Sequence, residues 1–454
     1  MKSLNAPFKH PHFKLQVYPD DMQKIIYGIV ALCLSLGSNT AAANKTPHAE
    51  PLQPIKVEVK KTEKGFQLLR DGKPYFIKGA GGTSYFHRLA AYGGNSIRTW
   101  STNNAKSILD SAQKNGLTVM MGLNVTPERH GFNYDDSVAV KKQFDRVKAE
   151  VLKYKDHPAL LSWGIGNELN LSYKNPKVWL AVNDIAKMIH EVDPNHLATT
   201  VLAGINKKEI DQIKATAPAL DILAINTYAD LAILPAKVKI AGWNGPYIVT
   251  EWGPTGHWEG LQTAWNAPVE ETSTEKAAVY RSRYNYGVEQ DQANCLGSYV
   301  FLWGQKQERT PTWYGLFTAK GEESEVIDVM QYLWSGAFPA NRAPHIYGFT
   351  LNSQRANQSV YVKSGAVYNA EVDAFDPDND ALTYRWELLP EATKVGEGGD
   401  HEDKPETVKM TFKDLGKGKI SITAPTASGA YRLFVYVADG KNKVATANIP
   451  FYVK

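Results

Sequence analysis

The sequence is poor in cysteine, with only Cys33 and Cys295 among 454 residues. Cys33 lies in an N-terminal segment that we expect to be removed, so the mature chain would keep one cysteine and no intramolecular disulfide. This excludes a small disulfide-stapled scaffold and requires a fold that is stable through its hydrophobic core. We expect Cys295 to be buried and inert.

An excess of charge of either sign is also absent. Lys and Arg number 51 and Asp and Glu number 47, which gives a formal net charge of +4. Removing residues 1–43 takes away four Lys and two Asp, so the mature balance is 47 − 45 = +2. This balance gives no reason to expect nucleic acid or an acidic polymer as a partner. The length is sufficient for two or three globular domains.

Hydrophobic runs of membrane-spanning length are missing as well. The one candidate, residues 25–38, is too short to cross a bilayer comfortably. Lys24 before it and the alanines at 41–43 after it are typical of a secretory signal peptide. We therefore predict that residues 1–43 are a signal peptide, with translation starting at Met22. The mature protein would have no membrane span and would be exported to the periplasm or out of the cell.

Signatures of several other enzyme classes are absent too. The sequence contains no zinc-binding, P-loop or nucleophile-elbow spacing. It also contains no repeat of solenoid or propeller period. These absences argue against those enzyme classes and repeat folds. We also predict that the reaction proposed below for this protein needs neither a metal nor an organic cofactor.

What the sequence does contain, from about residue 56 to residue 340, is an alternation of short apolar runs with helical stretches. Eight such runs separated by helices predict parallel βαβ units, and a closed (β/α)8 barrel typically takes about 250 residues. An open doubly wound sheet is the alternative, but "GAGG" at 79–82 lacks the full glycine spacing of a phosphate turn. We predict an α/β fold in which residues 44–340 form a TIM barrel with an N-terminal β-hairpin segment.

The remaining residues, 341–454, show the period-2 alternation and turns of an immunoglobulin-like β-sandwich. Within it, Asp376, Asp378 and Asp380 stand at alternate positions of an acidic segment. Their oxygens suit Ca²⁺, but an acidic turn with side-chain-to-backbone hydrogen bonds has the same pattern. The segment resembles the opening of PKD-like or cadherin-like modules, of which some bind calcium. We favour the acidic turn, without a metal.

Polar and aromatic side chains follow most of the predicted barrel strands. The carboxyl ends of parallel strands converge on one face of a barrel, and active sites lie there. Glu168 after the fourth strand and Glu251 on the seventh are 251 − 168 = 83 residues apart, or three βα units, and would meet only in a closed barrel. The strand-end residues, in order, are Arg98, Asn124, Asn167, Glu168, Asn226, Thr227, Tyr228, Glu251, Trp252 and Trp303.

Two facing carboxylates are what the cleavage of a glycosidic bond needs, because one must donate a proton and the other must be ionised below the anomeric carbon. Arg98 and the hydroxyl of Tyr228 would keep one carboxylate charged. Asn167 could hydrogen-bond a sugar hydroxyl, and Trp303 could form a floor under a sugar ring. The sequence also has 11 Trp and 23 Tyr, which suit sugar rings, although core packing explains most of them.

The block from about residue 76 to residue 303 resembles the retaining (β/α)8 glycoside hydrolases with glutamates on strands four and seven, and is most similar to the barrel domain of family 2. The matching motifs are "GGNSIRTW", "HPALLSWGIGNELN", "IHEVDPNH", "ILAINTY", "GPYIVTEWG" and "VFLWG". The resemblance implies that Glu168, after Asn167, is the acid/base and that Glu251 is the nucleophile. It also implies that Arg98 and Tyr228 steady Glu251 and that Trp303 contacts the substrate.

The sequence therefore predicts an exported retaining β-glycosidase that acts on a β-linked, β-glucan-like oligo- or polysaccharide. The predicted catalytic residues are Glu168 and Glu251. The predicted substrate-binding residues are Asn167, Arg98, Tyr228, Trp303, Asn124 and Trp252. Trp100, His130, His257 and Trp313 are further loop candidates. A β-glucan transglycosylase that uses the same acids and a non-catalytic carbohydrate-binding protein are the alternatives.

Overall fold

The structure, a computed structural model, describes residues 52–454. The predicted signal peptide and Met22 lie outside these residues. Within the described part of the chain, no helix combines the length and the apolar character that a membrane crossing requires.

The first part of the described chain alternates strands and helices, as the sequence predicts. Its strands are β1 (Val57–Thr62), β2 (Gly65–Arg70), β3 (Lys73–Pro74), β4 (Ile77–Gly81), β5 (Ser96–Arg98), β6 (Thr118–Leu123), β7 (Leu160–Asn167), β8 (Leu197–Ala203), β9 (Ile222–Asn226), β10 (Tyr247–Trp252), β11 (Cys295–Val300) and β12 (Glu323–Ser324). Its helices are α1 (Phe86–Ala91), α2 (Ala105–Lys114), α3 (Ser137–Tyr154), α4 (Lys177–Val192), α5 (Lys207–Thr216), α6 (Leu234–Ile240), α7 (Ser273–Gly287) and α8 (Glu325–Ser335).

Strands β4 to β11 form a closed, all-parallel barrel in sequence order, with β11 pairing β4. This confirms the predicted TIM barrel and excludes the open doubly wound sheet. The barrel strands are buried on both faces because alternate residues point to the barrel interior and to the helices. In β6, for example, Met120 packs among the interior residues, whereas Val119 and Met121 pack in the helix-facing core.

The three-stranded sheet β1–β2–β3 covers the amino-terminal end of the barrel. The backbone N–H of Val57 donates to the carbonyl of Asn195, just before β8, at 2.8 Å. The N–H of Phe66 donates to Ala293, just before β11, at 2.7 Å. This end of the barrel is therefore closed by the chain, and the opposite end is left for a site.

The C-terminal part is a two-sheet β-sandwich. Its strands are β13 (His345–Leu351), β14 (Val360–Val362), β15 (Val367–Phe375), β16 (Thr383–Pro390), β17 (Phe412–Gly416), β18 (Lys419–Thr423), β19 (Gly429–Ala438) and β20 (Lys443–Val453). One sheet has the order β12-β20-β19-β16, with β14 also pairing β20, and the other has the order β13-β15-β18-β17. The two sheets enclose their own apolar core, as the alternation predicts.

The sandwich is fixed to the barrel segment by buried ion pairs. Lys443, on β20, places its Nζ 2.8 Å from Glu323 and 2.6 Å from Asp328, and all three side chains are almost wholly buried. Arg432, on β19, donates to the carbonyl of Pro268 at 2.7 Å. Removing one partner from such a network leaves a buried charge unpaired, which is strongly destabilising. Residues 52–454 accordingly form one compact unit.

The three aspartates of the sandwich lie together, with one oxygen of each within 4.8 Å of the others. Asp376 Oδ1 accepts hydrogen bonds from the backbone N–H groups of Asp378 at 2.9 Å and Asp380 at 3.0 Å. Lys441 lies 2.6 Å from Asp380 and compensates part of the negative charge. These contacts are those of an acidic turn, and the absence of a metal remains a prediction.

Candidate active site

Glu168 and Glu251 line one cleft of about 530 Å³ at the carboxyl end of the barrel. Glu168 follows the last residue of β7 and has a left-handed backbone (φ 52°), and Gly166 two residues earlier has φ 69°. The pairing register shifts beside both glutamates, between β7 and β8 and between β10 and β9. Irregularities of this kind re-aim side chains near active sites. The closed barrel thus brings together the two carboxylates that the sequence predicts to meet.

Glu251 is surrounded by hydrogen-bond donors. Its Oε1 accepts from Arg98 Nη1 at 2.7 Å and from Trp100 Nε1 at 2.8 Å, and its Oε2 accepts from the Tyr228 hydroxyl at 3.1 Å. Glu251 is only 6% exposed, so these donors replace water as the partners of its charge. The arrangement holds the carboxylate in one position and leaves Oε2 with the fewest partners.

Tyr228 can act as a donor over a wide pH range. Burial raises the pKa of the Tyr228 hydroxyl well above its usual value, and the charge of Glu251 acts in the same direction. The phenol therefore stays protonated and donates a hydrogen bond to Glu251.

Arg98 connects the two strand ends that carry the glutamates. It is 1% exposed, and besides Glu251 it donates from Nη1 to the carbonyl of Thr250 at 2.8 Å and from Nη2 to Asn167 Oδ1 at 2.6 Å. Its guanidinium also lies over the Trp100 ring at 5.1 Å. Because Arg98 occupies the oxygen of Asn167, the amide nitrogen of Asn167 is the group left to donate to a ligand.

Glu168 is in a different environment, although it is also buried. Burial and, to a smaller extent, the neighbouring charge of Glu251 together raise the pKa of Glu168 to about 7. A hydrogen bond at 2.9 Å from Asn226 Nδ2 to Glu168 Oε1 acts in the opposite direction. The two carboxyl groups therefore differ in the way that acid and nucleophile must differ.

The structure does not place Trp303 where a sugar platform would have to be. Trp303 is fully buried, packs against Phe317 and Trp334, and does not line the cleft. Strand β11 ends three residues earlier, at Val300, and the chain then turns the indole into the core between barrel and helices. Phe301 lines the cleft instead.

We therefore expect Trp303→Phe to affect stability rather than substrate binding. The smaller ring should lower the free energy of unfolding by about 1–3 kcal/mol, because the core cannot fully close around it. KM should stay within about twofold of that of the wild type. Chemical denaturation and steady-state kinetics on the same preparation check this. A tenfold rise in KM at unchanged stability would instead support the predicted role of Trp303 as a floor under a sugar ring.

Two other predicted contacts lie elsewhere. Trp252 is fully buried and packs against Tyr280 and Tyr284 of α7, because side chains alternate along β10 and that of Glu251 points into the cleft. Asn124 follows β6, is exposed, and does not line the cleft, while its carbonyl accepts a hydrogen bond from Arg146 of α3. The full burial of Trp252 argues against substrate binding by that residue, whereas substrate binding by the exposed Asn124 stays a prediction.

Of the four loop candidates, two belong to the site. Trp100 bonds Glu251, and His257 lines the cleft, where burial lowers its pKa to about 4. Trp313 is buried outside the cleft lining, and His130 lies 3.2 Å from Asp400 of the sandwich.

The residues that sequence reasoning left without a role include Asn226, which hydrogen-bonds Glu168. Its position at the end of β9 was the available signal. The other lining residues without an assigned role are Leu171, Ala203, Gly204, Thr227, Asp230, Trp258, Glu259, Phe301, Glu308, Arg309 and residues 396–399. No local pattern in the sequence connects these loop residues to the glutamates.

Comparison with protein-family models gives one match, which lies in the barrel. Residues 86–271 match the family model for the TIM barrel domain of family 2 glycosyl hydrolases. This match confirms the resemblance predicted from the motifs, and the barrel is of the glycosidase type. No curated protein matches the chain in sequence.

Several solved structures are similar to this chain at low sequence identity. A β-glucuronidase of Faecalibacterium prausnitzii is 20% identical, with a TM-score of 0.49, over 62% of this chain and 52% of that one. A β-glucuronidase of Bacteroides uniformis is 14% identical, with a TM-score of 0.48, over 88% and 48%. A β-galacturonidase of Eisenbergiella tayi is 16% identical, with a TM-score of 0.48, over 62% and 54%. The chain thus matches about half the length of these proteins.

Proposed function

From a barrel of the family 2 glycosidase type, we propose that this protein is an exported retaining β-glycosidase for an uncharged β-linked oligo- or polysaccharide. The observation that carries the proposal is the contrast between the two glutamates of one cleft. Glu251 is held by three donors, including a guanidinium, whereas Glu168 has a pKa of about 7. One is suited to attack and the other to donate a proton.

In the first step, Glu251 Oε2 attacks the anomeric carbon. The glycosidic C–O bond breaks, and Glu168 gives its proton to the departing oxygen, so that a glycosyl ester forms on Glu251. In the second step, the Glu168 carboxylate takes a proton from water as the water oxygen attacks the same carbon. The ester bond breaks, Glu251 regains its negative charge and Glu168 its proton. Two inversions give net retention of configuration.

The charges of the cleft lining support an uncharged substrate. Six of the described residues that line it are acidic, namely Glu168, Asp230, Glu251, Glu259, Glu308 and Glu397, and Arg309 is the single arginine, with no lysine among them. With its pKa lowered to about 4, His257 is neutral near pH 7. An acidic sugar would meet mostly like charge in this cleft, so the uronic acid substrates named for the three solved structures are not carried over to this chain.

The test is a panel of neutral and uronic β-linked glycans, with product analysis by chromatography and anomeric NMR. The expected result is cleavage of a neutral glycan with the β-anomer formed first. An α-anomer formed first would contradict retention. Products longer than the substrate would identify the transglycosylase, and an inert enzyme that binds glycan would identify the carbohydrate-binding alternative. Recovery of the protein outside the cytoplasm with residue 44 at its amino terminus tests export.

The pH dependence of kcat/KM should have an alkaline limb near pH 7. Glu168 must be protonated for the first step, and its raised pKa lets it keep the proton up to about pH 7. As pH rises through that value the proton is lost, so kcat/KM should fall about tenfold per unit. A dinitrophenyl glycoside, whose leaving group needs no proton, is the control and should lack this limb. An alkaline limb with both substrates would assign it to another group.

A further inference from the structure

One wall of the cleft comes from the sandwich, not from the barrel. The loop between β16 and β17, residues 391–411, crosses to the mouth of the barrel, and its residues 396–399 line the same cleft as Glu168 and Glu251. These residues are more than 140 positions beyond Glu251 in the sequence. We call residues 391–411 the sandwich loop.

The sandwich loop is hydrogen-bonded to barrel loops on both sides of the cleft. Ser172, four residues after Glu168, donates its hydroxyl to Glu397 Oε1 at 3.1 Å. On the other side, Lys306 Nζ donates to the carbonyl of Gly399 at 2.7 Å. The loop therefore spans from the segment after β7 to the segment after β11.

Glu402 anchors the sandwich loop. It is only 5% exposed, its Oε2 accepts the backbone N–H of Arg309 at 2.7 Å, and its Oε1 accepts the N–H of Gly396 at 3.0 Å. One buried carboxylate thus ties the cleft-lining residues to the barrel. A buried acid with backbone donors on both oxygens fixes a loop better than surface contacts do.

The loop also lies very close to the segment behind Glu168. Gly398 has φ +59°, and a Cβ there would be 2.8 Å from Leu171 Cδ2 and 2.9 Å from Arg129 Nη2. Only glycine combines this backbone conformation with this approach. Arg129 in turn donates to the carbonyl of Glu168 at 3.2 Å.

We infer that the sandwich loop is a substrate-binding wall of the catalytic cleft, in which the Glu397 carboxylate accepts hydrogen bonds from the hydroxyls of a neutral sugar unit. This inference rests on the proposed glycosidase function and extends it to the C-terminal module. Glu397 is exposed at the cleft, and one of its oxygens already accepts from Ser172, so it is held in place with lone pairs free for a ligand. The sandwich is then part of the enzyme's specificity and not a spacer.

The test compares Glu397→Ala, Glu397→Gln and Gly398→Val in the full chain, using the neutral panel glycan with the highest kcat/KM. Glu397→Ala should raise KM about tenfold, with kcat within twofold, because a charged acceptor for sugar hydroxyls is lost. Glu397→Gln keeps one acceptor oxygen and should recover part of the loss. Gly398→Val should push the loop off the barrel and raise KM at least as much.

Glu406→Gln is the matched control, because Glu406 is exposed on the same loop and does not line the cleft. Glu406→Gln should leave KM unchanged. The melting temperatures of Glu406→Gln and of both Glu397 variants should stay within about 2–3 °C of the wild type, because substitutions at exposed positions have small effects on stability. An active Glu397→Ala enzyme with unchanged KM on every cleaved glycan would overturn the inference alone. A wild-type enzyme that cleaves no glycan would overturn the proposed function instead.

Discussion

Glu251→Gln is expected to lose roughly 10⁴-fold or more in kcat, as removal of a catalytic nucleophile does in other enzymes. The amide keeps the shape and an acceptor oxygen, so Arg98, Trp100 and Tyr228 retain a partner. It cannot form the glycosyl ester, and the first step therefore stops. Substrate affinity, measured by calorimetry with the best-cleaved glycan, should stay within about tenfold of the wild-type KM.

Glu209→Gln is the control for this loss. Glu209 is a buried glutamate, 9% exposed, that accepts a hydrogen bond from Asn170 but does not line the cleft. Its replacement tests whether any buried glutamate in the barrel would give the same result, and it should keep kcat within about threefold. Full turnover by Glu251→Gln would remove the nucleophile assignment and the retaining mechanism with it.

The barrel and the meeting of the two glutamates could be predicted because both follow from periodicity. Eight apolar runs alternating with helices leave a closed parallel sheet as the simplest solution, and closure places every strand end on one rim. Glu168 and Glu251 then share a cleft whatever their separation in sequence. The presence of Arg98 and Tyr228 near the two glutamates could be predicted for the same reason, since both lie at strand ends.

The direction of individual side chains could not be predicted to the same degree. Trp252 is the last residue of β10 and points into the core, since a shift of one residue reverses the face that a strand side chain occupies. Trp303, which the sequence predicts at the end of the eighth barrel strand, also points into the core. Strand β11 also ends before Trp303, so the alternation gives no information there. Phe301, two residues before Trp303, lines the cleft together with Tyr228, His257 and Trp258.

The contribution of the sandwich loop depends on domain packing, which local patterns do not encode. Glu397 and Glu402 belong to a polar stretch that, in sequence, looks like any surface connection. Their proximity to Glu168 follows from the buried pairs of Lys443 with Glu323 and Asp328, which fix the sandwich to the barrel. A buried charge network of this kind can be recognised only once both partners have coordinates.

Replacement of Glu168 should separate the two steps of the reaction. In Glu168→Ala, leaving groups that need a proton should react about 10³-fold more slowly, within the range for loss of a general acid. A dinitrophenyl glycoside should still form the ester on Glu251, because its leaving group departs as an anion. The ester should then accumulate, since no base activates water, and a burst of dinitrophenolate should precede slow turnover.

Azide provides the decisive readout for Glu168. Added to Glu168→Ala, it should attack the anomeric carbon of the Glu251 ester without needing a base, break the ester bond and release a β-glycosyl azide. Turnover of the dinitrophenyl glycoside should rise at least tenfold, and NMR should show the β-configuration that follows from two inversions. Glu209→Gln should show neither the burst nor the rescue, because it leaves the acid/base in place. An α-glycosyl azide would mean that azide attacked the substrate directly, with Glu251 acting as a base for water in the native enzyme.

Absence of any rescue would contradict the assignment of Glu168 as the acid/base. Azide must enter the space beside Asn226 that the Glu168 side chain vacates.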